Sequence, residues 1–368
     1  MKLPFAGAID CDLHPAVPST AALVPYLDPV WRDQVTNRYI DRLSFAMTSF
    51  PAGSPKMCRA DWRPTKGLPG SDLAALQRDA LDAFGLDHAI CNVIHGTVTY
   101  HNEDLAAAFV RAVNRWTAAE LLDRDPRLTA SILVTPQNPD HAIAEIERCA
   151  ADPRFVQVLL LCQNELMLGR RILWPIYAAA ERHGLAIGIH AGGMYRFPTT
   201  AIGWPSFQIE DYVVQSTAFQ NQLVSLVTEG VFSKFPDLKV VFLESGCTWI
   251  PSWMWRMDKT WRGARPETPW VDRFPSEMVR DHVRFSLQPF DAPPGGDAVA
   301  KLFEQAKSDE MFLFATDYPH WHFDGDDVLP DGIPEASLRR VLIDNALATY
   351  PRLAKLKTAA LETKGEHA

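Results

Sequence analysis

The chain has 368 residues, 47% apolar and 22% charged, enough apolar content to bury a full core in one large domain. Its net charge of −9, with no block of Lys or Arg, argues against a nucleic-acid partner, and no apolar run reaches the length of a membrane span. The start, Met1-Lys2-Leu3-Pro4-Phe5, has no leader-like apolar region, so a cytoplasmic location is expected.

Strand-length apolar runs alternate with helical patterns along the whole chain. Ala8–Asp12 is the first strand. A helix over 71–84 ends at Gly85 and leads to the strand Ala89–Ile94. An amphipathic helix over about 103–122 precedes Leu128–Val134, and a helix over 139–150 precedes Val156–Leu161. Ala186–His190 follows a helix that ends near Gly184, and Leu238–Glu244, Val283–Leu287 and Met311–Thr316 complete eight strands. Strands apolar on both faces, each followed by a helix, predict a parallel sheet, and eight such units close into a (β/α)8 TIM barrel. An open doubly wound sheet is the alternative, but no glycine-rich phosphate turn follows any strand. Two Pro-rich stretches, about 43–71 and 262–282, read as insertions into a single domain spanning 1–368, capping the active site or contacting another subunit. The six cysteines are scattered without a C-x-x-C, so neither a disulfide framework nor a thiolate zinc site is expected.

In such a barrel the chemistry belongs at the C-terminal strand ends. Asp12 and His14, two apart on strand one, project to the same side and form half of a divalent-metal site. Strand two ends at His95, strand four is followed by Glu165, strand five ends in His190, and strand six in Glu244. The apolar run Met311–Ala315 delivers Asp317, followed by Pro319 and His320. Singly, His190 reads as a hydrogen-bonded structural histidine, Asp12 as a cap and Asp317 as a turn residue. Together, unpaired carboxylates and imidazoles at one rim would be costly to bury, and a divalent metal removes that conflict. Ser245 lacks the context of a serine nucleophile.

Substrate clues come from the aromatic load of 11 Trp and 19 Phe. Trp62, Trp204, Phe207, Tyr212, Trp249, Trp253 and Trp321 fall in or near rim loops and suit an apolar, ring-containing organic acid. The run from Trp249 to Trp255 reads more readily as a helix packed under the rim or against a subunit. Arg63, Arg196 and Arg262 offer forks for a substrate carboxylate. Asp324-Gly325-Asp326-Asp327 reads as a cap after strand eight, since it lacks the other ligands of a calcium loop.

Taken together, Asp12-Leu13-His14, Ile189-His190-Ala191-Gly192, Leu243-Glu244-Ser245-Gly246 and Ala315-Thr316-Asp317-Tyr318-Pro319-His320 resemble the amidohydrolase superfamily. The likeness is to its amidohydrolase-2 branch, which includes aminocarboxymuconate semialdehyde and resorcylate decarboxylases, and it runs from about residue 8 to 352. It implies a metal-dependent barrel with ligands Asp12, His14, His190 and Asp317, the last also a proton acceptor. One departure is Glu244, where decarboxylases and many hydrolases of the branch carry histidine. With Glu244 the rim is rich enough for one or two ions of Zn, Mn or Fe, and His95 and Glu165 are further candidates. Asp317, Glu244 and His320 are the expected catalytic groups; Arg63, Arg196, Trp204 and Trp321 are expected to bind substrate. The resemblance implies hydrolysis or non-oxidative decarboxylation of a small cyclic or aromatic organic acid, by a homodimer. The alternative is a diiron monooxygenase on the same barrel, hydroxylating an apolar, for example terpenoid, substrate with oxygen.

Overall fold

A computed structural model of the chain describes residues 3–43, 58–292, 295–320 and 329–365. Eight strands, β1 (Ile9–Leu13), β2 (His88–Cys91), β3 (Leu128–Leu133), β4 (Phe155–Gln163), β5 (Ala186–Gly193), β6 (Val240–Leu243), β7 (Val283–Ser286) and β8 (Phe312–Leu313), lie in one sheet in chain order. Every neighbouring pair is parallel. The first and last segments are joined by backbone hydrogen bonds: Cys11 donates to the Phe314 carbonyl at 2.9 Å, and Asp317 to the Asp12 carbonyl at 3.1 Å. His14 donates to the Tyr318 carbonyl at 2.8 Å. The architecture is the (β/α)8 barrel that the alternating pattern predicts.

The helices form for local reasons that the sequence displays. Glu103–Thr117 starts at Asn102, whose side chain accepts from the Leu105 amide at 3.0 Å, with Glu103 and Asp104 against the positive end of the helix dipole. Phe109, Val113 and Trp116 recur on one face and are buried, as amphipathic spacing requires. The helix then widens into a π-type turn over Ala118–Leu122.

The eighth strand is shorter than the apolar run suggests. After Leu313 the chain turns from β7 towards the barrel's other edge, and the Phe314 amide donates to the Val341 carbonyl at 3.1 Å. By Asp317 the backbone is left-handed, with φ 56°, which an extended strand cannot accommodate.

Of the 43–71 stretch, residues 44–57 lie outside the described part. The remainder folds over the rim, where the Arg59 amide donates to the Pro319 carbonyl at 2.9 Å and Ala16 to the Gly70 carbonyl at 3.0 Å. Residues 262–282 contain the end of the helix Ile250–Ala264 and the whole helix Pro275–His282, which runs directly into β7. Among the described residues, no helix is long and apolar enough to cross a membrane.

Candidate metal centre

Six side chains from four strand ends meet at the C-terminal rim. Asp12 lies on β1 and His14 just past it; His190 lies on β5; Glu244 follows β6; Asp317 and His320 follow β8. All are buried except His320, whose side chain is 25% exposed and forms the solvent-facing edge. His14 Nε2 stands 3.0 Å from Asp12 Oδ1, 3.4 Å from Glu244 Oε1 and 3.3 Å from Asp317 Oδ1. His190 Nε2 is 3.1 Å from Glu244 Oε1 and 3.6 Å from Asp12 Oδ1. His320 Nδ1 reaches Glu244 Oε1 at 3.0 Å and Asp317 Oδ1 at 2.5 Å, and its ring stacks on His14 with centroids 4.5 Å apart.

Two features show that this donor set fits a divalent ion. The Nδ1 atoms of His14 and His190 lie 3.1 Å from the Asn92 carbonyl and 2.8 Å from the Ala191 carbonyl. A carbonyl accepts only, so each Nδ1 carries the proton and the Nε2 lone pairs point inwards, 3.3 Å apart. Lone pairs facing one another among carboxylates need a positive charge between them. Second, Asp12 Oδ2 is buried with no hydrogen-bond partner, a position an ion would fill. Ligand atoms about 2.1 Å from one ion stand about 3.0–3.4 Å from each other. His14 Nε2 is so spaced from Asp12, Glu244 and Asp317, and His190 Nε2 from Glu244. His320 and Asp317, at 2.5 Å, stand closer, as a hydrogen-bonded pair. Asp12, His14, His190 and Glu244 form one such group, and His14, Glu244, Asp317 and His320 another; the two share His14 and Glu244.

Without an ion, the groups compensate one another. Burial pushes the Asp12 carboxyl up, but the His14 and His190 imidazoles outweigh it and hold it at about 2. Burial and Asp317 push Glu244 up, while His190 and His320 bring it down to about 2. Burial would lower the imidazoles, yet Glu244 and Asp12 drive His190 well above its ordinary value, and Asp317 and Glu244 do the same to His320.

Backbone geometry marks the same place. Glu244 and Asp317 both adopt left-handed conformations, φ 55° and 56°, which non-glycine residues enter at a cost of about 1–3 kcal/mol. Each turns its carboxylate inwards as the strand ends.

Other candidates lie elsewhere. His95 caps the short turn Gly96–Thr99, accepting from the Thr97 amide at 3.4 Å, and belongs to neither ligand group. Glu165 is likewise outside both groups and is bound to Arg196, whose guanidinium also donates to the Thr99 and Tyr100 carbonyls at 3.2 and 2.8 Å. That arginine ties three rim loops together, so its fork is engaged before any substrate arrives. Arg63 and Arg262 are exposed, and Trp204 is half-exposed. Trp321 and the stretch 324–327 fall outside the described residues. Trp62 packs on Tyr318 at 4.8 Å, while Trp249 and Trp253 donate to the Ser245 and Gln220 carbonyls at 3.0 and 3.2 Å, as the packed-helix reading expects.

Sequence reasoning passed over Asn92, whose amide donates to Asp12 Oδ1 at 2.8 Å. The available signal was weak: one asparagine inside the apolar run Ala89–Ile94.

Three solved structures show the same fold. The 5-carboxyvanillate decarboxylase of Sphingomonas paucimobilis is 21% identical, with TM-score 0.68 over 94% of this chain and 99% of that one. An amidohydrolase from Mycobacterium avium subsp. paratuberculosis K-10 is 20% identical, with TM-score 0.69 over 94% and 99%. A dihydroxybenzoic acid decarboxylase from Polaromonas sp. JS666, with bound manganese and the inhibitor 2-nitroresorcinol, is 17% identical, with TM-score 0.64 over 94% and 97%. The sequence profile of the amidohydrolase family matches residues 9–352, nearly the whole chain, and the protein belongs to that family.

Proposed function

We propose that this barrel is a metal-dependent enzyme that removes the carboxylate of a small aromatic acid without oxidation. The observation that carries the reading is the buried donor set, with two inward Nε2 lone pairs and an unpartnered Asp12 oxygen. Asp12, His14, His190 and Asp317, with Glu244 against the same centre, would hold a divalent ion, which supplies a Lewis acid for the anionic oxygens of the substrate. The shared ligands of the two groups favour one ion per chain. Relatives of this fold named for carboxyvanillate and dihydroxybenzoate support an aromatic acid as substrate, and the one with bound manganese supports that metal.

The remaining work falls to His320, at the wet edge of the cluster and held through Nδ1 by Asp317 and Glu244. It delivers a proton to the ring carbon that bears the carboxylate. The carbon–carboxylate bond then breaks, its electron pair returns to the ring, carbon dioxide leaves, and His320 regains a proton from solvent. One observation favours hydrolysis instead: Glu244, a carboxylate where imidazole is expected, suits acceptance of a proton from water. The diiron oxygenase gains nothing from these relatives.

The test loads the protein with Mn²⁺ or Zn²⁺ and follows carbon dioxide release from hydroxybenzoates beside hydrolysis of lactones and amides. Carbon dioxide release that disappears on chelation supports the proposal. Hydrolysis alone would replace it with the second reading, and inactivity towards both classes with full metal loading would count against both.

A further inference from the structure

We propose that Asn92 is a positioning residue for the metal centre, acting through a directed ladder of hydrogen bonds across the barrel floor; this rests on the metal reading above. TIM-barrel interiors are ordinarily layered with bulky branched side chains. Beneath this rim lies a polar layer instead. Tyr350 donates to Gln157 Oε1 at 3.0 Å, and Gln157 Nε2 donates to Ser131 Oγ at 2.8 Å. Ser131 donates to Asn92 Oδ1 at 2.6 Å, and Asn92 Nδ2 donates to Asp12 Oδ1 at 2.8 Å. Gln157 Nε2 also reaches Asn92 Oδ1 at 3.2 Å. All five residues are buried.

The direction of the ladder is forced. Asp12, as a carboxylate, and the Cys11 carbonyl, 3.3 Å from Asn92 Nδ2, both demand a donor there. Asn92 Oδ1 must therefore accept, and the Ser131 hydroxyl has a single hydrogen to give. Such chains polarise one another, strengthening the final bond to Asp12. Room for the ladder is built into the neighbouring strand: a Cβ at Gly188 would lie 2.4 Å from Gln157 Nε2.

Asn92 holds two of the proposed ligands at once. Its side chain fixes Asp12 Oδ1 and thereby aims the unpartnered Oδ2, while its carbonyl holds His14 Nδ1 and thereby aims Nε2. Outer partners of this kind typically set metal affinity by roughly 10- to 100-fold.

The experiment titrates the full-length, metal-stripped protein with Mn²⁺, reading free ion by electron paramagnetic resonance and the thermal midpoint with and without the ion. Asn92→Ala is expected to weaken Mn²⁺ binding by roughly 10- to 100-fold and to shrink the rise in midpoint that Mn²⁺ produces. Asn92→Asp, which places a like charge against Asp12, should weaken it further. A merely structural Asn92 would lower the metal-free midpoint and leave affinity intact; that result overturns the proposal. If Asn92→Ala does not fold, Ser131→Ala keeps the asparagine but removes the shorter of the two bonds to its Oδ1, leaving the one from Gln157, and unchanged affinity there overturns the ladder equally. A wild-type protein that takes up no Mn²⁺ or Zn²⁺ would overturn the metal reading itself, an outcome distinct from variants that bind as well as wild type.

Discussion

The aromatic seam of the barrel and its rim are built on opposite principles. In the seam, Phe219 meets Phe242 with centroids 5.3 Å apart, Phe242 meets Phe285 at 5.5 Å, and all three are fully buried. These contacts stabilise the fold wherever the apolar surfaces meet. At the rim, six ionisable groups are crowded together, and two of them sit on strained backbone. Burying such groups costs stability unless each finds a partner, and an ion at the centre would complete the partner set. The seam therefore makes the barrel, and the rim draws on the surplus.

Substitutions in the two regions should leave different signatures. The largest effect is expected from His190→Ala, which should lower kcat/KM at least about a thousandfold, roughly 4 kcal/mol, and strip the metal. Its metal-free thermal midpoint should fall as well, because Asp12 and Glu244 lose the imidazole that offsets their burial. Full metal content with full activity would break the assignment of the rim. Phe219→Ala should differ in sparing the metal, destabilising by about 3–5 kcal/mol in denaturant melts while the folded fraction binds Mn²⁺ as before. A large loss of affinity per folded molecule would mean that the regions are not separable.

Glu244→Gln sharpens the comparison within the rim, because it keeps size and removes charge. Binding of Mn²⁺ should weaken by roughly 10-fold or more if the carboxylate touches the ion. Unchanged stoichiometry and affinity with a slower reaction would make Glu244 an acid–base group only.

The smallest effect is one of pH. Asp12 and Glu244, held at about 2, favour the metal-free fold above the ordinary carboxylate range, a contribution lost as pH falls towards 2. His190 and His320, raised well above theirs, favour it fully below about 6.5 and progressively less as pH rises. Metal-free protein should therefore be most stable between about 5 and 6.5. Ion binding needs unprotonated imidazoles, so the Mn²⁺-induced rise in midpoint should be greater at pH 8 than at pH 6. Equal rises would show that the imidazoles do not exchange protons for metal.

Much of this was legible in the residues themselves. A two-residue spacing puts Asp12 and His14 on one side of any strand, and an apolar run that stops at a carboxylate announces Asp317. The barrel followed from strands without a polar face. Pairings formed only by folding were not legible. Glu165 reads as a rim carboxylate until Arg196 closes on it, and Asn92 gains its meaning from Ser131, Gln157 and Tyr350, residues that nothing local connects to it. The end of β8 was overestimated because hydropathy records burial, whereas the strand stops where the backbone must turn for the site.

The bonds that close the barrel carry a consequence for biosynthesis. Thr316 donates to Asp10 across 306 positions of sequence, and the neighbouring Asp317 and Tyr318 bond directly to Asp12 and His14. The full centre therefore cannot exist on a growing chain until almost all of it has left the ribosome. Before then Asp12, His14, His190 and Glu244 lack Asp317 and His320, and β1 lacks the segment that closes the barrel against it. Choice of a metal would thus fall to the finished barrel, where geometry rather than first encounter would decide which ion stays.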